Sequence, residues 1–252
     1  MKLTNVLLIP AFAAMLAPAL SMAQTGTQAP ATKPAEEIPD APQATAAAMV
    51  HPNGPTVVMN TSMGRITCQL YQQQAPKAVA NFIGLAEGTR EWTDPTTKKK
   101  SHKPFFDGTT FHRVIPGFMI QGGDPTGTGM GDPGYSFEDE FNPDLNFDRP
   151  GRLAMANSGP NTNGSQFFIT EQAYDSLNQH YSLFGQCDDA SVEVVKSIAR
   201  VERDPNDKPL TPVVLKKMTI VPEGKPLPPA PADAAPTAAP APKPAMQVTP
   251  HP

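Results

Sequence analysis

Residues 111–124 read FHRVIPGFMIQGGD, and this stretch, together with MANSGPNTNGSQFF at residues 155–168, is the most informative part of the chain. The first stretch places one fully charged cation beside a dense set of apolar side chains, and the second adds amides, glycines and aromatic rings. Apolar surface with a few convergent polar groups is typical of small ligand pockets. The composition therefore predicts a shallow apolar pocket rimmed by neutral hydrogen-bonding groups, which suits an uncharged peptide better than a phosphate or a sugar acid.

The segments around these two stretches predict a mostly β domain. Between residues 105 and 170, short apolar runs alternate with Gly, Pro, Asn and Asp, which is the pattern of many short strands joined by turns. Alternating apolar residues between Val57 and Leu70 predict a hairpin ahead of this region, and residues 212–221 read as the last strand. These patterns leave an antiparallel barrel and a sandwich open.

Two helices are predicted within the same domain. The first has Pro76 in its opening turn, buries one apolar stripe and ends at Gly88. The second covers residues 191–202, with Ser191 or Asp189 as its N-terminal cap.

The two quoted stretches closely resemble the signature segments of the cyclophilin-type peptidyl-prolyl cis–trans isomerases. Residues 111–124 are similar to the family pattern FHRxIPGFMxQGGD, and the second stretch to MANxGPNTNGSQFFI. The resemblance covers residues 55–222, and it implies a closed eight-stranded antiparallel β-barrel with two flanking α-helices. It also implies an isomerase that needs no cofactor and no metal.

The resemblance assigns roles to ten residues of this sequence. By motif position Arg113 resembles the catalytic arginine. The residues that resemble the family's substrate-binding set are Phe118, Met119, Gln121, Ala156, Asn157, Gln166, Phe168, Leu177 and His180. Among them the aromatic and methionine side chains correspond to the proline pocket, while Gln121 and the backbone of Asn157 correspond to groups that hold the peptide.

One loop departs from the family pattern. Residues 175–180 read DSLNQH, where the family often has WLDGKH, so the spacing differs and Ser176 stands where the tryptophan would be. In the family that tryptophan contributes to cyclosporin binding. We therefore expect weak cyclosporin binding, and the assignment of Leu177 depends on this altered loop.

The two ends of the chain differ in composition from its middle. Pro accounts for 31 of the 252 residues, and it is concentrated in the flanks. Residues 1–23 combine a lysine, an apolar run and a small-x-small site, which predicts a cleavable signal peptide, with an uncleaved anchor as the alternative. Residues 24–54 and 223–252 are poor in large apolar groups and are expected to be disordered, Pro/Ala-rich segments. A bacterial, periplasmic protein with no membrane attachment after cleavage is the expectation.

Charge and motif spacing exclude several other functions. The net charge is −4 with no basic field, so nucleic acid is not expected as a partner. The run GTGMG at residues 127–131 lacks the spacing of a dinucleotide loop and is interpreted as a turn. Ser165 and His112 do not form a hydrolase signature, and the histidines lack the spacing of a metal site. His112 is interpreted as a structural hydrogen-bonding residue.

Two cysteines, Cys68 and Cys187, remain in the mature chain. An even number in an oxidising compartment favours a disulfide, whereas a pair of small buried thiols on separate strands is the equal alternative.

These features predict a monomeric peptidyl-prolyl isomerase that accelerates X–Pro isomerisation while exported proteins fold. Its partners would be proline-containing peptides and unfolded exported chains. The alternative is a chaperone module that binds proline peptides in the same pocket with little turnover.

Overall fold

The computed structural model describes residues 50–230, and within them the chain forms ten β-strands, two α-helices and one 3₁₀ turn. In chain order these elements are β1 (Thr56–Thr61), β2 (Gly64–Leu70), α1 (Pro76–Glu87), β3 (Trp92–Thr93), β4 (Lys100–Ser101), β5 (Arg113–Ile115), β6 (Met119–Gly122), β7 (Arg152–Met155), β8 (Phe167–Thr170), the 3₁₀ turn (Asp175–Leu177), β9 (Leu183–Cys187), α2 (Asp189–Ala199) and β10 (Leu215–Val221). The predicted signal peptide, and the parts of the predicted flanks at residues 24–49 and 231–252, lie outside the described residues. No helix within residues 50–230 has the length and apolar character needed to cross a membrane.

Eight strands form one antiparallel sheet in the order β10-β1-β2-β9-β7-β8-β6-β5. The predicted first hairpin is present as β1 and β2, with Val57 opposite Cys68 and Met59 opposite Ile66. These side chains are fully buried because their alternation along the strands points them to the same face of the sheet. A separate two-stranded pair, β3 with β4, forms the polar loop after α1.

The closed barrel expected from the resemblance is not the architecture of this sheet, which is a curled half-barrel with β10 and β5 at its edges. The peptide N–H of Val114 in β5 donates instead to the carbonyl of Asp207 in a loop (2.8 Å). Toward β10, the N–H of Leu215 donates a hydrogen bond to the carbonyl of Thr109 (2.8 Å), and the N–H of Phe111 donates one to the carbonyl of Val213 (3.0 Å). Because these bonds lie outside any continuous ladder, the curled sheet is bridged across the gap but not closed by paired strands.

The two faces of the curled sheet carry different side chains. One face holds the main core, to which the paired residues Val114, Ile120, Ile169 and Leu153 contribute. The alternate residues point to the opposite face, where Met119, Ala154 and Phe168 belong to a second buried cluster with Phe147, Leu177 and Leu183. The sheet therefore separates a structural core from a face that is available for a site.

The first helix packs its apolar stripe into the main core. The Phe82 ring lies 4.8 Å from Phe106 and 5.0 Å from Phe184, measured between ring centroids. The helix ends as predicted at Gly88, whose φ of 73° is left-handed. A Cβ at this position would overlap the carbonyl of His102, so this C-cap requires glycine.

The second helix begins earlier than predicted. It covers Asp189–Ala199, and its cap is Asp188, whose Oδ1 accepts a hydrogen bond from the N–H of Ser191 (2.8 Å). The prediction of Ser191 or Asp189 as the cap is therefore wrong. The hydroxyl of Ser191 instead accepts from the N–H of Thr67 in β2 (2.7 Å), which ties the first turn of the helix to the sheet.

A disulfide joins Cys68 and Cys187. Of the two alternatives that the sequence left open, a disulfide or two separate buried thiols, the structure therefore has the first. The two residues are direct partners in the pairing of β2 with β9, and they are separated by 119 residues along the chain. The bond therefore links the amino-terminal hairpin to the strand that leads directly into α2.

We expect the double variant Cys68→Ala/Cys187→Ala to lose about 2–4 kcal/mol of unfolding free energy, because the crosslink closes a long loop in the unfolded chain. Urea titration followed by the fluorescence of Trp92 measures this loss. Reduction of the wild-type protein serves as the control and should lower its unfolding midpoint to a similar extent. Equal midpoints for oxidised and reduced wild type would contradict the crosslink.

Candidate active site

A cavity of about 510 Å³ opens on the sheet face opposite the main core. It brings together eight of the ten residues singled out in the sequence: Arg113, Phe118, Met119, Gln121, Ala156, Asn157, Phe168 and Leu177. Sequence reasoning missed other lining residues, among them Thr128, Gly129, Tyr181, Asn206 and Lys208. These come from three separate loops, and only the fold brings them to one place.

Strand register sets the order of the central side chains. Arg113 of β5 is paired with Gln121 of β6, Gln121 with Phe168 of β8, and Phe168 with Ala154 of β7. Paired residues of antiparallel strands point to the same face. We call these four residues the register row, and it places a cation, an amide and an aromatic ring side by side across four strands.

Arg113 lies at the exposed rim of the cavity, with 44% of its side chain accessible. Its Nε is 3.9 Å from Oδ2 of Asp207, whose Oδ1 accepts a hydrogen bond from Nε of Arg203 (3.1 Å). The same carboxylate therefore faces two guanidinium groups. The terminal nitrogens of Arg113 make no hydrogen bond to any residue of the 50–230 range, which leaves their N–H groups for a ligand.

The floor of the cavity is apolar and aromatic. Met119, Phe168 and Leu177 are buried, while Phe118 is half-buried at the edge. The Phe168 ring stacks on Phe147 at 5.9 Å and meets the edge of Tyr181 at 5.2 Å. Packing on both sides holds the Phe168 ring in one orientation.

The turn that carries Phe118 is clamped by two residues that sequence reasoning missed. The carboxylate of Glu171 accepts a hydrogen bond from the N–H of Gly117 (2.7 Å), and the Tyr174 hydroxyl donates to the Gly117 carbonyl (2.5 Å). Glu171 is itself buried and paired with Arg200 after α2 (2.6 Å). Because the two contacts to Gly117 span 54 and 57 residues of sequence, no local pattern could have indicated them.

Two glutamines form an oriented pair beside Arg113. The Nε2 of Gln166 donates to the carbonyls of Gly129 (2.9 Å) and Gly131 (3.0 Å), so its Oε1 faces Gln121 and accepts from Gln121 Nε2 (2.9 Å). Because Nε2 of Gln121 is already used as a donor in this series of hydrogen bonds, Oε1 of Gln121 remains as an acceptor at the cavity. Gln166 itself lines a neighbouring cavity of about 480 Å³, which shares Gln121 and Asn157 with the first.

The glycine loop under this pair is organised by Asp124, which is fully buried. Its Oδ1 accepts from the N–H of Thr126 (2.6 Å), and its Oδ2 accepts from the N–H of Gly129 (2.5 Å). Burial alone would raise the pKa of the Asp124 carboxyl, but the hydrogen bonds from Thr126 and from the glycine loop outweigh it and lower the pKa below its ordinary value. The run at residues 127–131 is thus a loop, as predicted, and its function is to position Gln166.

His112 lies beside Arg113 in the cavity wall and is only 6% exposed. Neither ring nitrogen has a hydrogen-bond partner within the described residues, so the structural hydrogen bond expected of it is not observed. Burial is the main cause that lowers the pKa of His112, which keeps the ring neutral near pH 7.

The remaining predicted residues lie at the far rim. The Asn157 side chain donates from Nδ2 to the His180 carbonyl (2.9 Å) and accepts from the N–H of Gly159 (3.3 Å). The Asn157 side-chain amide therefore makes its hydrogen bonds to the protein's own backbone. His180 lies in an adjoining groove of about 420 Å³, while its neighbour Tyr181 lines the main cavity as well.

The arrangement can bind an extended, uncharged peptide against the apolar floor and direct N–H donors of one guanidinium toward it. Within residues 50–230 there is no group of three or more His, Cys, Asp and Glu side chains placed to hold a metal ion.

Comparison with known proteins shows which family has this arrangement of residues. The family model described as "Cyclophilin type peptidyl-prolyl cis-trans isomerase/CLD" matches residues 56–220. Peptidyl-prolyl cis-trans isomerase A of Mycobacterium tuberculosis is 50% identical over 186 residues, which cover 73% of this chain and 97% of that protein. Peptidyl-prolyl cis-trans isomerase B of Streptomyces anulatus is 49% identical over 164 residues, or 64% of this chain and 94% of its own length.

Solved structures agree with the sequence comparison. A cyclophilin-type isomerase of Cryptosporidium parvum is 36% identical with a TM-score of 0.59, and the match covers 69% of this chain and all of that one. A second structure of that protein was determined in the presence of the dipeptide Ala-Pro (36% identity, TM-score 0.56, 66% of this chain and 98% of that one). The family model and the near-complete match to the mycobacterial enzyme together establish that this chain belongs to the cyclophilin-type peptidyl-prolyl cis–trans isomerases.

Proposed function

We propose that this isomerase accelerates the rotation of X–Pro bonds in exported proteins as they fold, with Arg113 as its catalytic residue. The observation that supports the proposal is the register row, in which Arg113, Gln121 and Phe168 are neighbours on one face of the sheet and line the same cavity. An X–Pro segment bound there would have its ring on the floor and its peptide nitrogen close to the guanidinium.

The chemistry follows from the peptide bond. Rotation is slow because partial double-bond character gives a barrier of about 18–20 kcal/mol. In the twisted state the prolyl nitrogen becomes pyramidal and regains a lone pair. A donor that binds this lone pair stabilises the twisted state and not the planar ones, which is the requirement for catalysis.

Arg113 is placed to be this donor. One terminal N–H can bond to the prolyl nitrogen while Nε remains near Asp207. A hydrogen bond that involves a charged group contributes about 1.5–3 kcal/mol, which corresponds to roughly 10- to 100-fold in rate. Exclusion of water by the aromatic floor strengthens the bond.

The other polar groups hold the peptide while one side of it rotates. Oε1 of Gln121 is oriented by Gln166 to accept from a peptide N–H, and the backbone of Asn157 offers a second contact on the opposite rim. The Glu171 and Tyr174 clamp keeps Phe118 at the edge of the proline pocket. These residues position the substrate, and the reaction needs no nucleophile or proton relay.

Two features support a role outside the cytoplasm. Residues 1–23 carry the signal-like pattern, and the disulfide joins two strands of the domain. Disulfides persist in oxidising compartments such as the bacterial periplasm. Slow X–Pro isomerisation limits the folding of many chains, so the periplasmic clients we propose are unfolded, proline-containing proteins.

We expect Arg113→Ala to lower kcat/KM about 100-fold and Arg113→Lys about tenfold, because lysine lacks the planar fork that serves Asp207 and the substrate together. The measurement is cis–trans exchange of an Ala-Pro tetrapeptide. Arg203→Ala, which removes the other guanidinium at Asp207, is the matched control and should retain activity within about twofold. Full activity of Arg113→Ala would overturn the catalytic role of Arg113, whereas a wild type that binds the peptide without accelerating exchange would indicate a proline-binding chaperone module.

Asp124→Asn should reduce kcat/KM about tenfold, since an amide would turn N–H groups toward the backbone donors of the glycine loop and release Gln166. The effect on stability depends on pH. Because folding lowers the pKa of Asp124, its contribution is complete above the ordinary value of about 4 and disappears as the pH falls through the folded value. Urea unfolding of both proteins between pH 3 and 7 should therefore show the difference in free energy shrinking at acid pH. A difference that is constant over this range would contradict the role of the carboxylate.

Ser176 lies exposed in the 3₁₀ turn at the position of the family tryptophan. We expect the wild type to bind cyclosporin weakly and Ser176→Trp to bind it about tenfold more tightly, through added aromatic contact. Isothermal titration of both proteins measures the change. Ser176→Ala is the control, and equal affinities for all three proteins would show that this loop does not contact the drug.

A further inference from the structure

An arginine of the sheet holds two prolines near the carboxyl-terminal end of the described residues. Arg65 of β2 donates from Nη1 to the carbonyl of Pro228 (2.8 Å) and from Nη2 to that of Pro229 (2.6 Å). Its Nε donates a hydrogen bond to Oδ1 of Asn60 in β1 (3.1 Å), so a neighbouring strand of the sheet orients the guanidinium. This contact fixes the point from which the last part of the chain begins.

The sequence beyond this point repeats one dipeptide. Ala–Pro occurs at residues 230–231, 235–236, 239–240 and 241–242. Over residues 231–252 the only charged side chains are Asp233 and Lys243, with one histidine at 251. The segment therefore has the neutral, proline-rich character that the catalytic cavity is suited to bind.

The same dipeptide is the one named with the solved Cryptosporidium relative, whose structure was determined in the presence of Ala-Pro. The cavity of the present chain contains an aromatic floor, a guanidinium and an oriented glutamine. Four copies of the same dipeptide occur at the end of the chain that carries this cavity.

The length of the segment is sufficient for it to reach the cavity. The last repeat, Ala241–Pro242, ends 13 positions beyond Pro229. A proline-rich chain extends up to about 3.1 Å per residue, so this repeat can lie up to about 40 Å from the anchor. A domain of this size has a radius of gyration of about 16 Å and is about 40 Å across, so the reach of the last repeats is comparable to the width of the domain.

We propose that the Ala–Pro repeats of residues 231–252 bind in the catalytic cavity of their own chain as an intramolecular substrate and compete with external peptides. This proposal rests on the proposed function of the cavity. A linker whose length matches the distance it must span provides an effective concentration of about 1 mM. At that concentration a repeat with a dissociation constant of about 1 mM occupies half of the cavities, which raises KM for an external peptide about twofold and leaves kcat unchanged.

The kinetic test uses the full chain with Pro231, Pro236, Pro240 and Pro242 all changed to alanine. We expect KM for an Ala-Pro tetrapeptide to fall about twofold at unchanged kcat. The matched control, Pro250→Ala/Pro252→Ala, removes prolines that follow threonine and histidine and should leave KM at the wild-type value. An unchanged KM in the fourfold variant would overturn the proposal.

The second test observes the tail itself. NMR exchange spectra of the ¹³C-labelled wild type should show cis–trans exchange at the Ala–Pro bonds of residues 231–252 far faster than the tens of seconds of the uncatalysed process. Arg113→Ala should return this exchange to the slow rate. Fast exchange that weakens on dilution would place the tail in the cavity of another copy and would contradict the intramolecular proposal.

The two proposals fail in distinguishable ways. Slow exchange in the tail together with rapid catalysis of the external tetrapeptide would overturn the intramolecular substrate and leave the isomerase function intact. Slow exchange of both the tail and the tetrapeptide would overturn the function proposed for the cavity.

Discussion

The antiparallel register of β5, β6, β8 and β7 is the constraint on which the site depends. It places Arg113, Gln121, Phe168 and Ala154 on one face, while the alternate residues build the main core on the other. A slip of one residue would exchange the two faces, burying the guanidinium and exposing the core. Because the same hydrogen bonds specify the core and the site, an error in register would destroy stability and function together.

The register determines which face each side chain lies on, and buried hydrogen bonds then determine how the polar side chains of the site are oriented. Asp124 holds the glycine loop, the loop holds Gln166, and Gln166 orients the amide of Gln121. Glu171 does the same for the turn at Gly117. Buried carboxylates are costly unless they are hydrogen-bonded, and in each case the donors include backbone N–H groups of a site loop, with Arg200 in addition paired to Glu171. The requirement to satisfy these buried groups therefore makes the cavity rigid.

Proline has different roles in different parts of this protein. Pro76 begins a helix, and Pro116 precedes the glycine of the turn that carries Phe118. Pro228 and Pro229 offer carbonyls to Arg65, which uses the guanidinium fork of a surface strand to hold the start of the carboxyl-terminal segment. Proline therefore serves this chain as a helix start, as part of a turn at the site and as an acceptor for a surface guanidinium.

Local patterns in the sequence were sufficient to predict several elements and the family. Alternation predicted β1 and β2, helical spacing with Pro76 and Gly88 predicted α1, and two motif stretches indicated the residues of the cavity. The open edge of the sheet, the pairing of Cys68 with Cys187 and the Glu171 clamp became evident only in the folded chain. These features join residues that lie far apart along the chain. Burial and turns leave a periodic record within a few residues, whereas a contact across 54 or 119 positions depends on how the strands between them are paired.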